Sequence, residues 1–242
     1  MGRIIILILL VPFLSVCAFG GPPFLTDDPE PVDFRHWEFY IASTQTITKT
    51  ETDATFPHFE INYGAIPEIQ LHLIIPFTYN SANASRTYGF GTSEFGVKYR
   101  FIDETDSSPQ IGTFPLIEIP TESHALASGD ENVQVFLPIW IQKSYGNFST
   151  YGGGGCWINP GVGNRNWIFL GWQAQYNFSN SLTAGGEIFY QTADAVDGNS
   201  SLGMNIGGFV NLSEENHILL SIGHSLTGSG TMIGYVAYQL TL

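Results

Sequence analysis

The sequence predicts an all-β protein, an antiparallel transmembrane β-barrel of about 12 strands formed by residues 34–242. Three observations predict this class. Apolar and polar residues alternate along segments of about 10 residues, as in the last one, Thr231–Leu242, and the polar connections between segments are alternately short and long. Charged residues make up only 12% of the chain, whereas Gly and aromatic residues are abundant. This composition suits a wall that faces lipid and keeps its acidic residues in loops.

The first residues predict an export signal. A short basic start, residues 1–3, precedes an apolar run at Ile4–Leu14, which is shorter than the roughly 20 residues that a membrane helix needs. The small residues that follow suit cleavage after Ala18 or after Gly20. We therefore expect residues 1–20 to be a secretory signal peptide, with either cleavage point open.

Cysteine usage and charge narrow the possible classes further. Cleavage leaves Cys156 as the single cysteine, so a disulfide framework is not expected. A lipoprotein signal ending at Cys17 is the alternative, although Val16 is bulky where such signals carry a small residue. The net charge of −14 argues against nucleic acid as a partner, because no basic patch is present to neutralise phosphates.

The chain in order begins with an arm and continues as strands. Residues 21–33 (GPPFLTDDPEPVD) form a Pro-rich, acidic N-terminal arm in front of the barrel, because proline lacks the N–H that a strand ladder needs. In the first strand Trp37, Phe39 and Ile41 share one face, and the later strands repeat this alternation. The predicted strands are residues 34–47, 57–64, 68–80, 89–102, 109–120, 132–144, 147–159, 166–178, 182–192, 201–212, 217–226 and 231–242.

The connections predict the orientation of the barrel. Those after even-numbered strands are shorter on the whole, which matches short periplasmic turns and longer outside loops, with both chain termini in the periplasm. A soluble β-sandwich or lipocalin-like barrel would show the same alternation. The membrane barrel is favoured because the second face is rich in Gly, Gln and Asn instead of Lys and Glu, and because Trp and Tyr lie near strand ends.

The ionisable residues that face the predicted lumen concentrate on strands 1 to 4. If strands 2 and 3 pair about a turn centred at Ile66, Glu60 lies opposite His72 and Asn62 lies opposite Gln70. The same geometry places Glu38 near Asn62, and it places Lys98 and Arg100, which face inward with Glu94, near Gln70 and Glu68. The result is an inward network in which opposite charges pair across the strands. The residues predicted to line the lumen or solute pathway are Glu38, Tyr40, Glu60, Asn62, Glu68, Gln70, His72, Lys98 and Arg100.

Two interpretations of this network stay open. It is a constriction or solute-binding site, or it is a structural set of ion pairs that fills a narrow barrel, since buried charges need partners in either case. Four aromatic side chains on inward faces would add a stacking surface for solutes: Tyr40, Phe114, Phe136 and Trp140.

Catalytic and metal-binding patterns are weak. The sequence has no G-x-S-x-G motif, and the predicted register brings no Ser–His pair together. The 6 histidines lack the paired spacing of a metal site, and Gly152–Gly155 lacks the Lys-Ser/Thr that follows a phosphate-binding loop. We expect no enzyme, no metal and no cofactor, and we keep a lipid-modifying hydrolase of the outer membrane as an alternative.

Several segments carry a resemblance to a known family: HWEFYIAS, NYGAIPEIQLHLIIP, EFGVKYRF, QVFLPIWIQKSYG, YGGGGCWINPG and AYQLTL. Together they resemble bacterial outer-membrane transporter-like barrels that are grouped with the "MetA-pathway of phenol degradation" proteins, over nearly the whole mature chain. The resemblance implies a channel or transporter in the bacterial outer membrane for small solutes, hydrophobic or aromatic ones among them. Its partners would be outer-membrane lipid, the barrel-assembly machinery and the solute. A structural barrel with a plugged lumen is a further alternative, and Leu242 departs from the aromatic residue that usually ends such barrels.

Overall fold

The computed structural model describes residues 22–82, 85–120, 132–228 and 230–242. The predicted signal peptide and the predicted loop at residues 121–131 lie outside the described residues. None of the described segments forms a helix long and apolar enough to cross a membrane.

Fourteen β-segments build the wall of a barrel. Most of them are 10 to 16 residues long, which suits tilted strands that cross a bilayer. The segments are β1 (Trp37–Ile47), β2 (Glu51–Ile66), β3 (Ile69–Ala82), β4 (Ser85–Phe90), β5 (Ser93–Ile102), β6 (Gln110–Thr113), β7 (Leu116–Ile119), β8 (Gln134–Tyr145), β9 (Phe148–Ile158), β10 (Trp167–Ser179), β11 (Leu182–Gln191), β12 (Ser201–Asn211), β13 (Asn216–Ser225) and β14 (Met232–Thr241).

These segments make a closed barrel of 12 antiparallel strands, which confirms the predicted fold class. β4 and β5 both pair with β3, so they are one strand with a single interruption, and β6 and β7 are likewise one strand beside β8. β1 pairs with β14 from Glu38↔Thr241 to Ile47↔Met232, which closes the ring without a free edge. We name the end where β1 begins and β14 ends the proximal rim, and the opposite end the distal rim.

Two predicted loops at the distal rim are wrong. Residues 48–56 and 81–88 were expected to be polar loops, but β2 begins at Glu51 and β4 begins at Ser85. Polar cross-strand contacts maintain the ladder there: the Asn80 amide donates to the Asp53 carboxylate at 2.5 Å and to Glu51 at 2.7 Å. Polarity alone therefore does not mark the end of a strand when its side chains bond to each other.

The outer face of the wall is apolar along its whole circumference. Residues at alternate strand positions point outward, as the alternation predicted, and the exposed apolar band includes Ile41, Leu71, Phe95, Val97, Leu137, Leu170, Ile188, Ile206, Leu220 and Val236. Exposed aromatic residues gather where strands meet the proximal rim, namely Trp37, Tyr99, Phe101, Tyr145, Phe148, Tyr176, Phe178 and Tyr238. This arrangement matches the aromatic girdle that membrane barrels place at the lipid–water interface.

Candidate functional site: the barrel lumen

The polar side of the lumen is built by β1, β2, β3 and β5. The turn between β2 and β3 lies at Pro67 and Glu68 instead of being centred at Ile66, and a bulge follows Gly64. Asn62 consequently lies opposite His72, not opposite Gln70, and Glu60 lies opposite Ile74 instead of His72, although its carboxylate remains 3.7 Å from His72 Nδ1. The later turn moves the pairing by three positions and the extra residue of the bulge takes back one, so the net shift of two residues keeps each inward side chain inward.

A buried polar chain crosses three of these strands. His72 Nδ1 lies 2.6 Å from Asn62 Oδ1, and its Nε2 lies 2.8 Å from Glu94 Oε1. The Asn62 amide donates to Glu60 Oε1 at 2.9 Å. All four residues are 5% exposed or less, so the lumen wall pairs these groups with one another. The alternation predicts that Glu94 faces inward, but the nine residues predicted to line the solute pathway do not include it.

Lys98 forms its ion pairs with the N-terminal arm, whereas the sequence predicts that its partners lie on the barrel wall. Its ammonium lies 2.9 Å from Asp27 Oδ1 and 3.4 Å from Asp28 Oδ1, and both carboxylates belong to the N-terminal arm. On the wall Lys98 stands directly opposite Gln70, as predicted. The predicted wall network is therefore incomplete, because its main cation is neutralised by a segment that was placed outside the barrel.

The remaining predicted site residues lie toward the proximal rim. The Arg100 guanidinium is 2.6 Å from Glu68 and 3.1 Å from Asp103, which confirms its predicted proximity to Glu68. The Tyr40 hydroxyl donates to Glu38 at 2.8 Å, and Glu38 lies opposite Asn62 in the strand register. Their role in a solute pathway stays a prediction.

The N-terminal arm, residues 22–33, runs inside the lumen. Phe24 and Asp27 are each 2% exposed, and Thr26 is fully buried. On the wall opposite Lys98, the Glu187 carboxylate of β11 accepts the backbone N–H groups of Leu25 and Thr26, each at 2.8 Å. The arm thus spans the lumen between β5 and β11, which corrects the expectation that it precedes the barrel as a separate segment.

Glycines in the wall give the arm its room. A Cβ atom would lie 1.9 Å from the Asp33 carbonyl oxygen at Gly64, 2.9 Å from Pro29 Cβ at Gly112, and 2.1 Å from Thr26 Oγ1 at Gly171. All three distances are too short for any side chain, so the close approach of the arm requires glycine at these positions. The alternation along each strand predicts that these glycines face the lumen, but it does not predict which segment packs against them.

The other side of the lumen is aromatic. We call it the aromatic wall, a buried cluster made of Phe114, Leu116, Phe136, Trp140, Trp157, Trp167, Phe169 and Phe189. The Phe136 and Trp157 rings stack at 4.8 Å, and the Trp157 and Trp167 rings stack at 5.4 Å. Phe114, Phe136 and Trp140 were predicted to form a stacking surface, and the structure places them together. The other members could have been found by the same alternation.

Features of other chemistries are sparse in the described part of the chain. No group of three or more His, Cys, Asp or Glu side chains among these residues is arranged to hold a metal ion. The side chains that contact histidine ring nitrogens there are Thr55, Asn62, Glu94 and Asn211, and none of them is a serine. The Ser–His contact that a barrel hydrolase would need is thus not formed by these pairs.

Comparison with known proteins supports the class of fold. No protein-family model matches the sequence, and no curated protein matches it. Among solved structures, the COG4313 outer membrane channel from Pseudomonas putida F1 aligns with a TM-score of 0.70 at 14% identity, covering 89% of this chain and 98% of that chain. The KdgM porin in complex with disordered oligogalacturonate gives a TM-score of 0.57 at 12% identity, with 83% and 98% covered. The CymD monoaromatic hydrocarbon channel gives 0.51 at 7% identity, with 86% and 89% covered.

These neighbours define the class: the chain has the fold of an outer-membrane β-barrel channel. The low identities show the fold alone. The resemblance to the phenol-degradation family stays a prediction, as do cleavage of the signal peptide and the periplasmic position of the termini.

Proposed function

We propose that this chain is a channel or transporter of the bacterial outer membrane that passes small apolar solutes, aromatic ones foremost. The aromatic wall is the observation that carries the proposal. Eight buried apolar side chains line this side of the lumen, whereas the interior of a porin for polar solutes is polar. Stacked and edge-on rings offer matching surfaces to flat solutes. The name of one structural neighbour, a monoaromatic hydrocarbon channel, agrees with this class of solute.

The arm supplies the closure of this pathway. It is held by the Lys98–Asp27 ion pair on one wall and by two hydrogen bonds to Glu187 on the other. It contributes no strand to the barrel, so it can shift without breaking the ladder that gives the barrel its stability. Solute passage therefore requires displacement of the arm, and the closed position is the resting state.

The partners follow from the location. The apolar outer band contacts outer-membrane lipid, the barrel-assembly machinery inserts the exported chain, and the solute enters the lumen. Nucleic acid is not a partner of a chain with a net charge of −14.

A reversible disulfide between the arm and the wall tests the proposal. A Cβ at Gly171 would lie 3.0 Å from Thr26 Cβ, whereas the Cβ atoms of a disulfide lie about 3.8 Å apart. A bond between Thr26→Cys and Gly171→Cys therefore tethers the arm within about 1 Å of its docked position, whereas the reduced cysteine at position 171 pushes the arm away. Cys156→Ser in the same chain removes the exposed native thiol. Uptake of a fluorescent apolar aromatic probe, N-phenyl-1-naphthylamine, is then followed in intact cells before and after reduction.

We expect the oxidised double variant to admit the probe no faster than cells without the protein, and reduction to restore uptake. Gly171→Cys with Cys156→Ser is the matched control, because it carries the same overlap with the arm but cannot form the bond, and its uptake should not respond to reduction. Equal uptake in the oxidised and reduced states would refute the closure. Absence of uptake in both states, with a folded barrel on a heat-modifiability gel, would favour a plugged structural barrel.

A further inference from the structure

We propose that the aromatic wall contains a binding site for one neutral aromatic ring that carries a hydrogen-bond acceptor, such as an aryl ketone, and that Leu25 of the arm occupies this site when the lumen is closed. The inference rests on the proposed function insofar as the solute reaches the site through the lumen. It adds the chemical class of the ligand and the residue with which the ligand competes.

The site is a small void beside the arm. Its free volume is about 10 Å³, and its lining consists of Leu25, Asp27, Phe114, Leu116, Phe136, Trp140, Trp157 and Phe169. This volume holds about one water, so a ring does not fit while Leu25 packs against the aromatic wall. A leucine side chain and one water together fill a space close to that of a single aromatic ring. Withdrawal of Leu25 therefore opens a site of the right size.

Two indole groups define the polar requirement. Trp140 is 2% exposed and Trp157 is 1% exposed, and the Nε1 atom of each has no hydrogen-bond acceptor among the residues that the structure describes. Buried N–H groups in proteins are almost always paired. Both indoles line the void, so an acceptor on a bound ring could satisfy at least one of them.

The ring geometry favours a flat ligand. Phe136 stacks on Trp157 with an interplanar angle of 12°, while Trp140 meets Phe136 at 62° and Phe169 at 66°. The void is thus lined by ring faces and ring edges, the two surfaces with which another aromatic ring packs best. A saturated ring of similar size has no π quadrupole, so it should bind these ring faces and edges less tightly.

The charges at the void favour a neutral ligand. Asp27 lines it, and Asp28 is adjacent in the chain, whereas Lys98 is the cation that contacts both. Because the ligand replaces the Leu25 side chain while Asp27 and Asp28 stay on Lys98, one carboxylate charge remains in excess next to the site, and an aromatic carboxylate is repelled. The ligand class is narrowed to neutral rings with a carbonyl or comparable acceptor.

Calorimetric titration of the refolded protein in detergent, corrected with protein-free micelles, tests the chemistry with four probes. Acetophenone has the ring and the acceptor, ethylbenzene lacks the acceptor, cyclohexyl methyl ketone lacks the aromatic ring, and benzoate carries a charge. We expect acetophenone to bind about tenfold more tightly than ethylbenzene, which is the effect of one buried hydrogen bond, and benzoate to bind least. Equal affinities of acetophenone and ethylbenzene would overturn the proposal.

Variants locate the site. Trp140→Phe and Trp157→Phe keep a ring and remove the N–H, so at least one should abolish the preference for acetophenone while leaving ethylbenzene affinity within about twofold. Leu25→Ala should tighten acetophenone binding several-fold, whereas Val32→Ala, an arm truncation away from the void, should not. An unchanged preference in both tryptophan variants, or no effect of Leu25→Ala, would contradict the site. If the variants do not fold, the wild-type comparison of the probes decides.

The outcome separates the two proposals. Loss of the acetophenone preference with arm-dependent probe uptake intact would remove the site and leave the transport proposal standing. Selective acetophenone binding without any uptake would leave the site and remove the transport proposal.

Discussion

Replacing Lys98 with methionine should release the arm from the lumen while leaving the barrel folded. Methionine keeps most of the length of the side chain and removes its charge. Lys98 is 6% exposed and Asp27 is 2% exposed, so the substitution leaves a buried carboxylate without its cation. The stability of the barrel wall should not change, because the backbone of β5 pairs with β3 independently of this side chain.

The structure sets the size of the effect. Breaking a buried ion pair by removing one partner costs about 3–5 kcal/mol, because the other charge stays desolvated. Here that cost falls on the docked arm, since Asp27 recovers its hydration only when the arm leaves. At about 1.4 kcal/mol per tenfold, the equilibrium between docked and released arm should shift by about a hundredfold to several thousandfold.

Hydrogen exchange read by mass spectrometry measures this shift directly. The amides of Leu25 and Thr26 donate to Glu187 in the docked state and should lose protection by the same factor when Lys98 is replaced. Lys143→Met is the matched control, because Lys143 pairs with Glu104 in a proximal turn and touches no arm residue. Protection of the arm in that variant should equal the wild type.

Two results would refute this reasoning. Unchanged protection of the arm in Lys98→Met would show that the ion pair does not hold it. The second concerns the double variant Lys98→Met with Asp27→Asn, which removes the buried carboxylate as well and leaves only the more exposed Asp28 without the cation. Its arm should regain most of the lost protection, and failure to do so would show that Lys98 acts through something other than Asp27.

Three further predictions concern the arm and the wall. Glu187→Ala should weaken docking of the arm by about 3 kcal/mol, because two charge-assisted hydrogen bonds are lost. The amide of Val32, which lies away from the substitution, should then exchange roughly a hundredfold faster, and unchanged exchange would contradict the prediction. Gly171→Val should displace the arm without altering any charge, since its Cβ would lie 2.1 Å from Thr26 Oγ1. Single-channel conductance in a planar bilayer should rise, and a conductance equal to that of the wild type would show that the arm does not close the lumen. Ile206→Arg on the lipid face should destabilise the barrel by about 2–4 kcal/mol in urea unfolding from vesicles, whereas Val162→Arg in an exposed loop should not; equal unfolding midpoints would argue against the assigned lipid face.

Much of the wall was predictable from the alternation of residue types. The period of two assigns Glu94 and Lys98 to the lumen and Phe95 and Val97 to lipid, and the structure agrees for each. The number of strands followed from counting such segments. What the period does not supply is the register between strands, because the later turn and the bulge after Gly64 together shift the pairing of β2 with β3 by two residues, which changes the partners without changing any face.

The position of the arm could not be predicted from local pattern. One of its wall partners, Glu187, lies 162 residues from Leu25 in the sequence, and the composition of neither segment indicates that they meet. The prolines indicated only that the arm forms no ladder. Asp27 and Asp28 resembled ordinary solvated acids, and it is the wall around them that makes them ion-pair partners. The predicted site was accordingly right about inward faces and wrong about which charges neutralise Lys98.

If the arm closes the lumen as proposed, the arrangement of charges also explains why the closed state is favoured. The wall pairs Glu94 with His72, whereas the carboxylates beside Lys98 come from the arm, and Glu187 accepts two hydrogen bonds from the arm and one from Asn205 of the wall. Departure of the arm therefore leaves Lys98 without these carboxylates and Glu187 without two of its donors. An apolar solute that pushes the arm aside compensates neither charge, so the arm stays displaced only while the solute occupies the lumen. Once the solute leaves, both charges drive the arm back, and the barrel closes without any further component.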